Sequence, residues 1–256
     1  MKTFRVMQFN MQFGQIWDDQ APDTAPIRIE ETVAEIRRHN PDVLILQEVE
    51  HAGALGTRTP FPPHYTHLRA ELHDYDSVFS LPDPDPRELP FGIGLAIFAR
   101  APLTGFSRHV LPSPPIPFEF GGEMKTPTDR LLISVNAGLL GRNVRLFNVH
   151  LLAFFMLRSS SREHPLQRAR VAELLAQSSG PALIGGDFNV SGHESLVEQM
   201  DGIGYRTVQQ KEITWRRRPY VLDHIFHNNQ LYCLRHQVVP TLASDHHVLL
   251  ADMGFI

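Results

Sequence analysis

Apolar residues in this 256-residue chain fall into two kinds of short run. Phe4 to Asn10 alternates apolar and polar positions, as a half-buried strand does, whereas Val43-Leu44-Ile45-Leu46 and Ala182-Leu183-Ile184 are continuous, as in a fully buried strand. Further strands are predicted at Gly94 to Phe98, Phe106 to Leu111, Arg130 to Val135, Val144 to Val149, Val221 to Phe226, Leu231 to Val239 and His247 to Met253, with a turn at Gly138 to Asn143. Helical spacing is rarer. Ile27, Ile29, Val33 and Ile36 support a helix over Ala25 to His39, stopped by Asn40-Pro41. Leu166, Ala169, Leu174 and Leu175 support a second from about Pro165 to Gln177, and a short one fits Glu194 to Met200. His51 to Pro90 and Pro112 to Pro127, rich in proline, read as two rim loops of the kind that shapes a binding site. So many strands with two or three helices predict an α+β chain of two packed sheets with helices outside, rather than an alternating parallel sheet.

Composition narrows this picture in a few places. No Ser/Gly-rich or charged linker divides the chain, so residues 1–256 are expected to form a single domain. A net charge of -4 gives no global field for a polyanion and disfavours tight, sequence-independent duplex binding, though a local basic patch remains compatible with it. The single cysteine, Cys233, excludes an intramolecular disulfide. No run approaches the roughly 18 apolar residues of a membrane span, and the N-terminus runs straight into a strand pattern. A soluble cytoplasmic protein is expected, with no stable protein partner and no membrane contact.

Candidate chemistry lies where the strands stop. Asn10, Glu48, His150, Asp187 and Asn189 each follow an apolar run; Asp223 sits in the strand at Val221, and Asp245 and His246 just precede the last strand. If neighbouring strands end at one edge, these groups converge, and so many buried polar groups need one another or a ligand. Gly185-Gly186 is expected to let the backbone turn, leaving Asp187 and Asn189 on one side of an extended segment.

Phe9-Asn10, Leu46-Gln47-Glu48-Val49, Asn148-Val149-His150-Leu151, Gly185-Gly186-Asp187-Phe188-Asn189, Leu222-Asp223-His224-Ile225 and Ser244-Asp245-His246 together, in this order, resemble the endonuclease/exonuclease/phosphatase superfamily. The resemblance implies a four-layer αββα sandwich and Mg²⁺-dependent phosphoester hydrolysis by direct attack of water, with Mn²⁺ as the alternative ion. By position it implies Glu48, Asn10 and Asp245 at the metal, and Asp187 on the water with Asn189 on a phosphoryl oxygen. His246 would share the base role with Asp223 behind it, and His150 would stand on the leaving-group side. A phosphodiester substrate is favoured, nucleic acid or a small diester, with a sugar or inositol phosphomonoester and a non-catalytic phosphate-binding scaffold as the rival readings. No acid is evident to orient His150, for which a packed core histidine is the competing reading. Arg130, Trp215 and Arg217 are candidate substrate contacts, with a solvated loop the rival for Arg216-Arg217-Arg218. Phe154 to Leu157 reads as core or as a substrate-covering loop.

Overall fold

The computed structural model describes residues 2–50, 62–85, 87 and 93–256. Two six-stranded sheets face each other. The first contains β1 (Phe4–Asn10), β2 (Val43–Gln47), β3 (Asp76–Ser80), β4 (Leu95–Ala99), β13 (Leu231–Val239) and β14 (Val248–Phe255), in the order β13-β14-β1-β2-β4-β3. The second contains β5 (Leu103–Leu111), β8 (Arg130–Leu139), β9 (Arg142–His150), β10 (Ala182–Asp187), β11 (Tyr205–Thr207) and β12 (Asp223–Asn228), in the order β11-β12-β10-β9-β8-β5. Helices α1 (Ile29–His39) and α2 (Pro63–Glu71) cover the first sheet, and α3 (Leu166–Ala176) and α4 (Glu194–Asp201) the second.

Three apolar layers hold this αββα stack together. Val6, Ile45, Ile97, Ile133, Leu146, Leu183, Ile225 and Leu249 pack between the sheets. Alternate residues of the same strands pack outward: Leu44 and Leu46 with Val33 and Ile36 of α1, and Ile184 and Phe226 with Val171 and Leu175 of α3. Burial on both faces is why these strands read as continuous apolar runs.

Several boundaries differ from the sequence expectation. The first helix starts at Ile29, because Ile27 lies in an extended bridge to Gln15 and is 47% exposed. His51 to Pro90 is not all loop, since it carries α2 and β3; residues 51–61, 86 and 88–90 of it lie outside the described residues. A short hairpin, β6 (Phe118–Phe120) with β7 (Glu123–Lys125), interrupts the second proline-rich stretch. Among the described residues there are four α-helices, the extra one being α2, whose weak apolar periodicity hides it. Gly185 and Gly186 do not turn the chain, because β10 continues through both. They are small for another reason: a Cβ on Gly185 would come 2.9 Å from Ile45 across the sheet interface, and one on Gly186 only 2.2 Å from the Val149 carbonyl oxygen.

No helix among the described residues is long and apolar enough to cross a membrane.

Candidate active site

The pairs β1–β2 and β9–β10 are parallel, so their C-terminal ends fall side by side. Register then fixes the neighbours: Asn10 lies opposite Gln47, and Asp187 opposite both His150 of β9 and Asp223 of β12. The two sheets meet at this end through side chains. Asn10 Nδ2 donates to Glu48 Oε1 and to Asp187 Oδ2, each at 3.0 Å. His150 Nε2 lies 3.5 Å from Asp187 Oδ2 and 3.8 Å from Glu48 Oε1, and His246 Nε2 approaches the same Asp187 oxygen at 3.7 Å.

His246 is held from behind. Its Nδ1 donates to Asp223 Oδ2 at 2.8 Å, while Gln8 Nε2 donates to Asp223 Oδ1 at 3.0 Å and to Gln47 Oε1 at 2.7 Å. Gln47 Nε2 reaches Asn148 Oδ1 at 2.8 Å, and the Asn148 amide donates to the Leu46 and Ala96 carbonyls. This buried chain ties both sheets to the carboxylate that orients His246. Ser244 Oγ donates to the Asn10 carbonyl and accepts from the His246 backbone N–H, locking the loop before β14 against the end of β1.

Two of the site residues, Glu48 and Asn189, occupy left-handed backbone geometry that positions them. Glu48 has φ 50°, which ordinary residues adopt only at some cost, and it turns away from β2 there. Asn189 also has φ 50°, so the segment past Asp187 bends rather than extends; its N–H donates to Asp187 Oδ1 and its Nδ2 to the Leu151 carbonyl.

Burial dominates the electrostatics. It pushes the Glu48 carboxyl up to about 7, with repulsion from Asp245 adding to it, and raises Asp187 in the same direction. For His246 burial alone would lower the pKa, but Asp223 and then Asp187 outweigh it and push it up to about 10. His150 goes the other way, held well below the ordinary value by burial, Arg130 and His246. Without a cation His246 is therefore the charged imidazole and His150 the neutral one, because carboxylates face the first more than the second.

Glu48, His150 and Asp187 each offer one ligand atom within 4.8 Å of the others, as do Asp187, Asp223 and His246. In the second group Asp223 is already committed to His246 and Gln8. Glu48 and Asp187 are crowded, desolvated carboxylates in an oxygen-rich setting, and a small hard divalent cation is the species that relieves both penalties. The residues fit such an ion at Glu48 and Asp187.

Glu48, His150, Asp187 and His246 line a cleft of about 530 Å³ together with Gln12, Phe155, Trp215 and Arg218. A model of the Endonuclease/Exonuclease/phosphatase family matches residues 7–246. The chain belongs to that family. No curated protein matches it in sequence. Among solved structures of similar shape is an endonuclease/exonuclease/phosphatase from Beutenbergia cavernae DSM 12333, 21% identical with a TM-score of 0.72, covering 100% of this chain and 72% of that one. A mannosyl-6-phosphatase from Bacteroides thetaiotaomicron VPI-5482 is 17% identical with a TM-score of 0.66, covering 98% and 100%. TDP2 of D. rerio, complexed with a single-strand DNA product, is 15% identical with a TM-score of 0.67, covering 99% and 100%. At these identities the likeness is one of fold.

In this family member the expected residues do not all stand alike. Asn10, Glu48, His150, Asp187, Asp223 and His246 converge as described, and Asn189 borders the cleft. Asp245 borders it too, but its Oδ2 accepts from Trp215 Nε1 at 3.2 Å and from Arg217 Nε at 2.5 Å, leaving Oδ1 facing His246 at 4.0 Å. Arg217 lines the cleft and also donates to Asp23 Oδ1 and to the Pro22 carbonyl, so its guanidinium clamps the 12–23 loop there. Trp215 is 8% exposed and sits in an aromatic wall with Phe155 and Tyr220 at 5.6 and 6.2 Å. Arg130 lines the cleft from the start of β8.

As expected from the apolar 92–100 segment, no acid among the described residues orients His150: its buried Nδ1 has no hydrogen-bond partner among them. The two proline-rich rim stretches, by contrast, contribute no described residue to the cleft; its rim comes from residues 12–23, 153–156 and 215–218. Phe154 is buried on His164, while Phe155 and Met156 face the cleft. Gln8 escaped the sequence reading altogether, and its only signal was a glutamine at a core position of β1.

Proposed function

We propose that the chain is a divalent-metal-dependent phosphoric ester hydrolase, specifically a phosphodiesterase that attacks its substrate directly with water. One observation carries this reading: a single carboxylate oxygen, Asp187 Oδ2, stands 3.5 Å from His150, 3.7 Å from His246 and 3.0 Å from the Asn10 amide. A carboxylate flanked by two imidazoles has a base on one side and a proton donor on the other, as in-line displacement at phosphorus requires.

Glu48 and Asp187, beside Asn10, would hold Mg²⁺ or Mn²⁺, whose positive charge would offset the charge building on the phosphoryl oxygens. Asp187 orients the attacking water and takes its proton, and His246, whose own proton a neighbouring cation would disfavour, shares that role. Asp223 fixes the His246 tautomer by accepting from Nδ1. The second N–H of the Asn189 amide is left for a phosphoryl oxygen, since only one is spent on Leu151. His150 presents Nε2 on the other side of Asp187, where a neutral imidazole carrying its proton on that nitrogen donates a hydrogen bond to the leaving oxygen. Arg130 adds positive charge along the same wall.

Hydrolysis in H₂¹⁸O tests the direct attack. One ¹⁸O in the phosphate product, with no phosphorylated side chain trapped on quenching, is expected; a phosphoenzyme overturns the mechanism. Hydrolysis confined to monoesters would make the protein a phosphomonoesterase using the same groups.

A further inference from the structure

Phe155 and Asn189 line the catalytic cleft on one side and a neighbouring cleft of about 300 Å³ on the other. Hydroxyls and one cation dominate the second cleft: Ser160, Ser161, Arg162, Ser191 and Ser195 line it, and no carboxylate does. Ser159 lines it as well, but its hydroxyl is spent on the Glu163 carboxylate at 2.8 Å, an acid beside the cleft that is not itself part of the lining.

Behind the serines lies Arg168 of α3, only 7% exposed. Its Nε donates to Gln199 Oε1 at 2.8 Å, Nη1 to Ser161 Oγ at 3.2 Å and Ser195 Oγ at 3.1 Å, and Nη2 to the Ser195 carbonyl at 2.6 Å. All four acceptors are neutral. A buried guanidinium ordinarily has a carboxylate partner, because desolvating a lone cation is costly. Here none pairs with it among the described residues, and the charge acting on it is a second cation, Arg162.

The hydroxyls relay that charge into the cleft. Ser161 Oγ accepts from Arg168, which polarises its own O–H, and no acceptor among the described residues takes that proton. Ser160 Oγ likewise accepts from the Glu163 N–H at 3.3 Å and keeps its proton free. Ser191 lines the cleft from the opposite wall. Donors therefore converge from two segments with a net positive charge and no anion to receive them, which suits a tetrahedral oxyanion with several acceptor oxygens.

We propose that this cleft is an anion subsite that takes a second phosphate of the substrate, beside the phosphoester held at Glu48 and Asp187. The inference rests on the phosphoesterase reading for what the second phosphate is attached to. A neighbouring phosphate of a nucleic acid strand and the second phosphate of a small bisphosphate share the required chemistry.

Thermal unfolding in EDTA with rising inorganic phosphate, against chloride at equal ionic strength, tests the subsite without turnover. EDTA leaves the catalytic carboxylates without a cation, so they do not attract the probe. A saturable upward shift is expected for the wild type, with apparent phosphate affinity about tenfold weaker in Ser161→Ala and Arg162→Ala, the scale of one lost charge-assisted hydrogen bond. No phosphate-specific shift, or one equal in all three proteins, overturns the proposal. With Mg²⁺ present, KM is compared for thymidine 5′-(p-nitrophenyl phosphate), its 3′-phosphorylated form and short oligothymidylate. A KM advantage of the 3′-phosphate that vanishes in Arg162→Ala identifies a small bisphosphate, and an Arg162→Ala defect seen only with oligothymidylate identifies a strand. No defect with either overturns the substrate role. Phosphate binding that depends on Ser161 and Arg162 without hydrolysis of any ester would instead sink the phosphoesterase reading and leave the anion site standing.

Discussion

Replacing Asp223 with Asn removes one charge and one acceptor from a point where two donors meet. His246 Nδ1 reaches Oδ2 at 2.8 Å and Gln8 Nε2 reaches Oδ1 at 3.0 Å, and all three side chains are buried. An amide has a single acceptor oxygen, so either Gln8 or His246 is left facing an NH₂ group. When His246 faces it, the imidazole is driven to the tautomer protonated on Nε2, the nitrogen turned to Asp187. A lost hydrogen bond to a charged group is worth about 1.5–3 kcal/mol. At about 1.4 kcal/mol per unit, His246 should drop by about one to two units from its raised value near 10. Turnover should fall about 10²- to 10⁴-fold, the scale of a misplaced acid–base group. Stability gives an independent readout. A histidine with a raised folded pKa stabilises fully below its unfolded value and loses that contribution as pH rises through the folded one. Wild type in EDTA should therefore lose stability from about pH 6.5 toward 10 relative to Asp223→Asn. His246 Cε1 proton titration by NMR, with urea unfolding at pH 6 and 9, measures both. A variant His246 still titrating near 10, or turnover within about twofold of wild type, would refute the reasoning.

Glu48, pushed up to about 7 by burial and Asp245, must lose a proton before a cation binds at lower pH. Apparent Mg²⁺ affinity, read from melting temperatures, should thus rise with pH through neutrality and level off only once Asp187, raised to about 8, has also ionised; a flat profile contradicts this. Gly186→Ala places a Cβ 2.2 Å from the Val149 oxygen and should lower stability by at least about 1–3 kcal/mol in urea unfolding, and an unchanged midpoint would show that β9 and β10 can part there. Gln8→Met leaves Asp223 Oδ1 without its donor, which should destabilise by about 1–3 kcal/mol and lower kcat more than KM; a shift in KM alone would place Gln8 outside the catalytic chain.

Much of this site was legible because its groups fall at strand ends. Asn10, His150 and Asp187 stand where strand patterns stop, and parallel pairing carries them to one edge. What periodicity could not supply was the contact that crosses from one sheet to the other. Gln8 looked like any polar residue of an alternating strand, yet it faces the other sheet and holds Asp223. Arg217 likewise had the charge expected of a phosphate contact, and only the fold reveals that Asp245 and Asp23 claim it. The glycines before Asp187 illustrate a different limit. Gly residues read locally as turn formers, whereas here they let β10 press against Ile45 and Val149, a demand set by neighbours far away in sequence. The helix α2 was hidden among prolines because it packs mainly through Leu68, too little for a periodic signal.

The most direct measurement is release of p-nitrophenol from bis(p-nitrophenyl) phosphate by wild type and Asp187→Asn, each with Mg²⁺ and with EDTA, beside the monoester p-nitrophenyl phosphate. Metal-dependent release from the diester that is lost in folded Asp187→Asn is the result expected if Asp187 acts on the attacking water. Equal release by wild type and variant, or release that persists undiminished in EDTA, would contradict it.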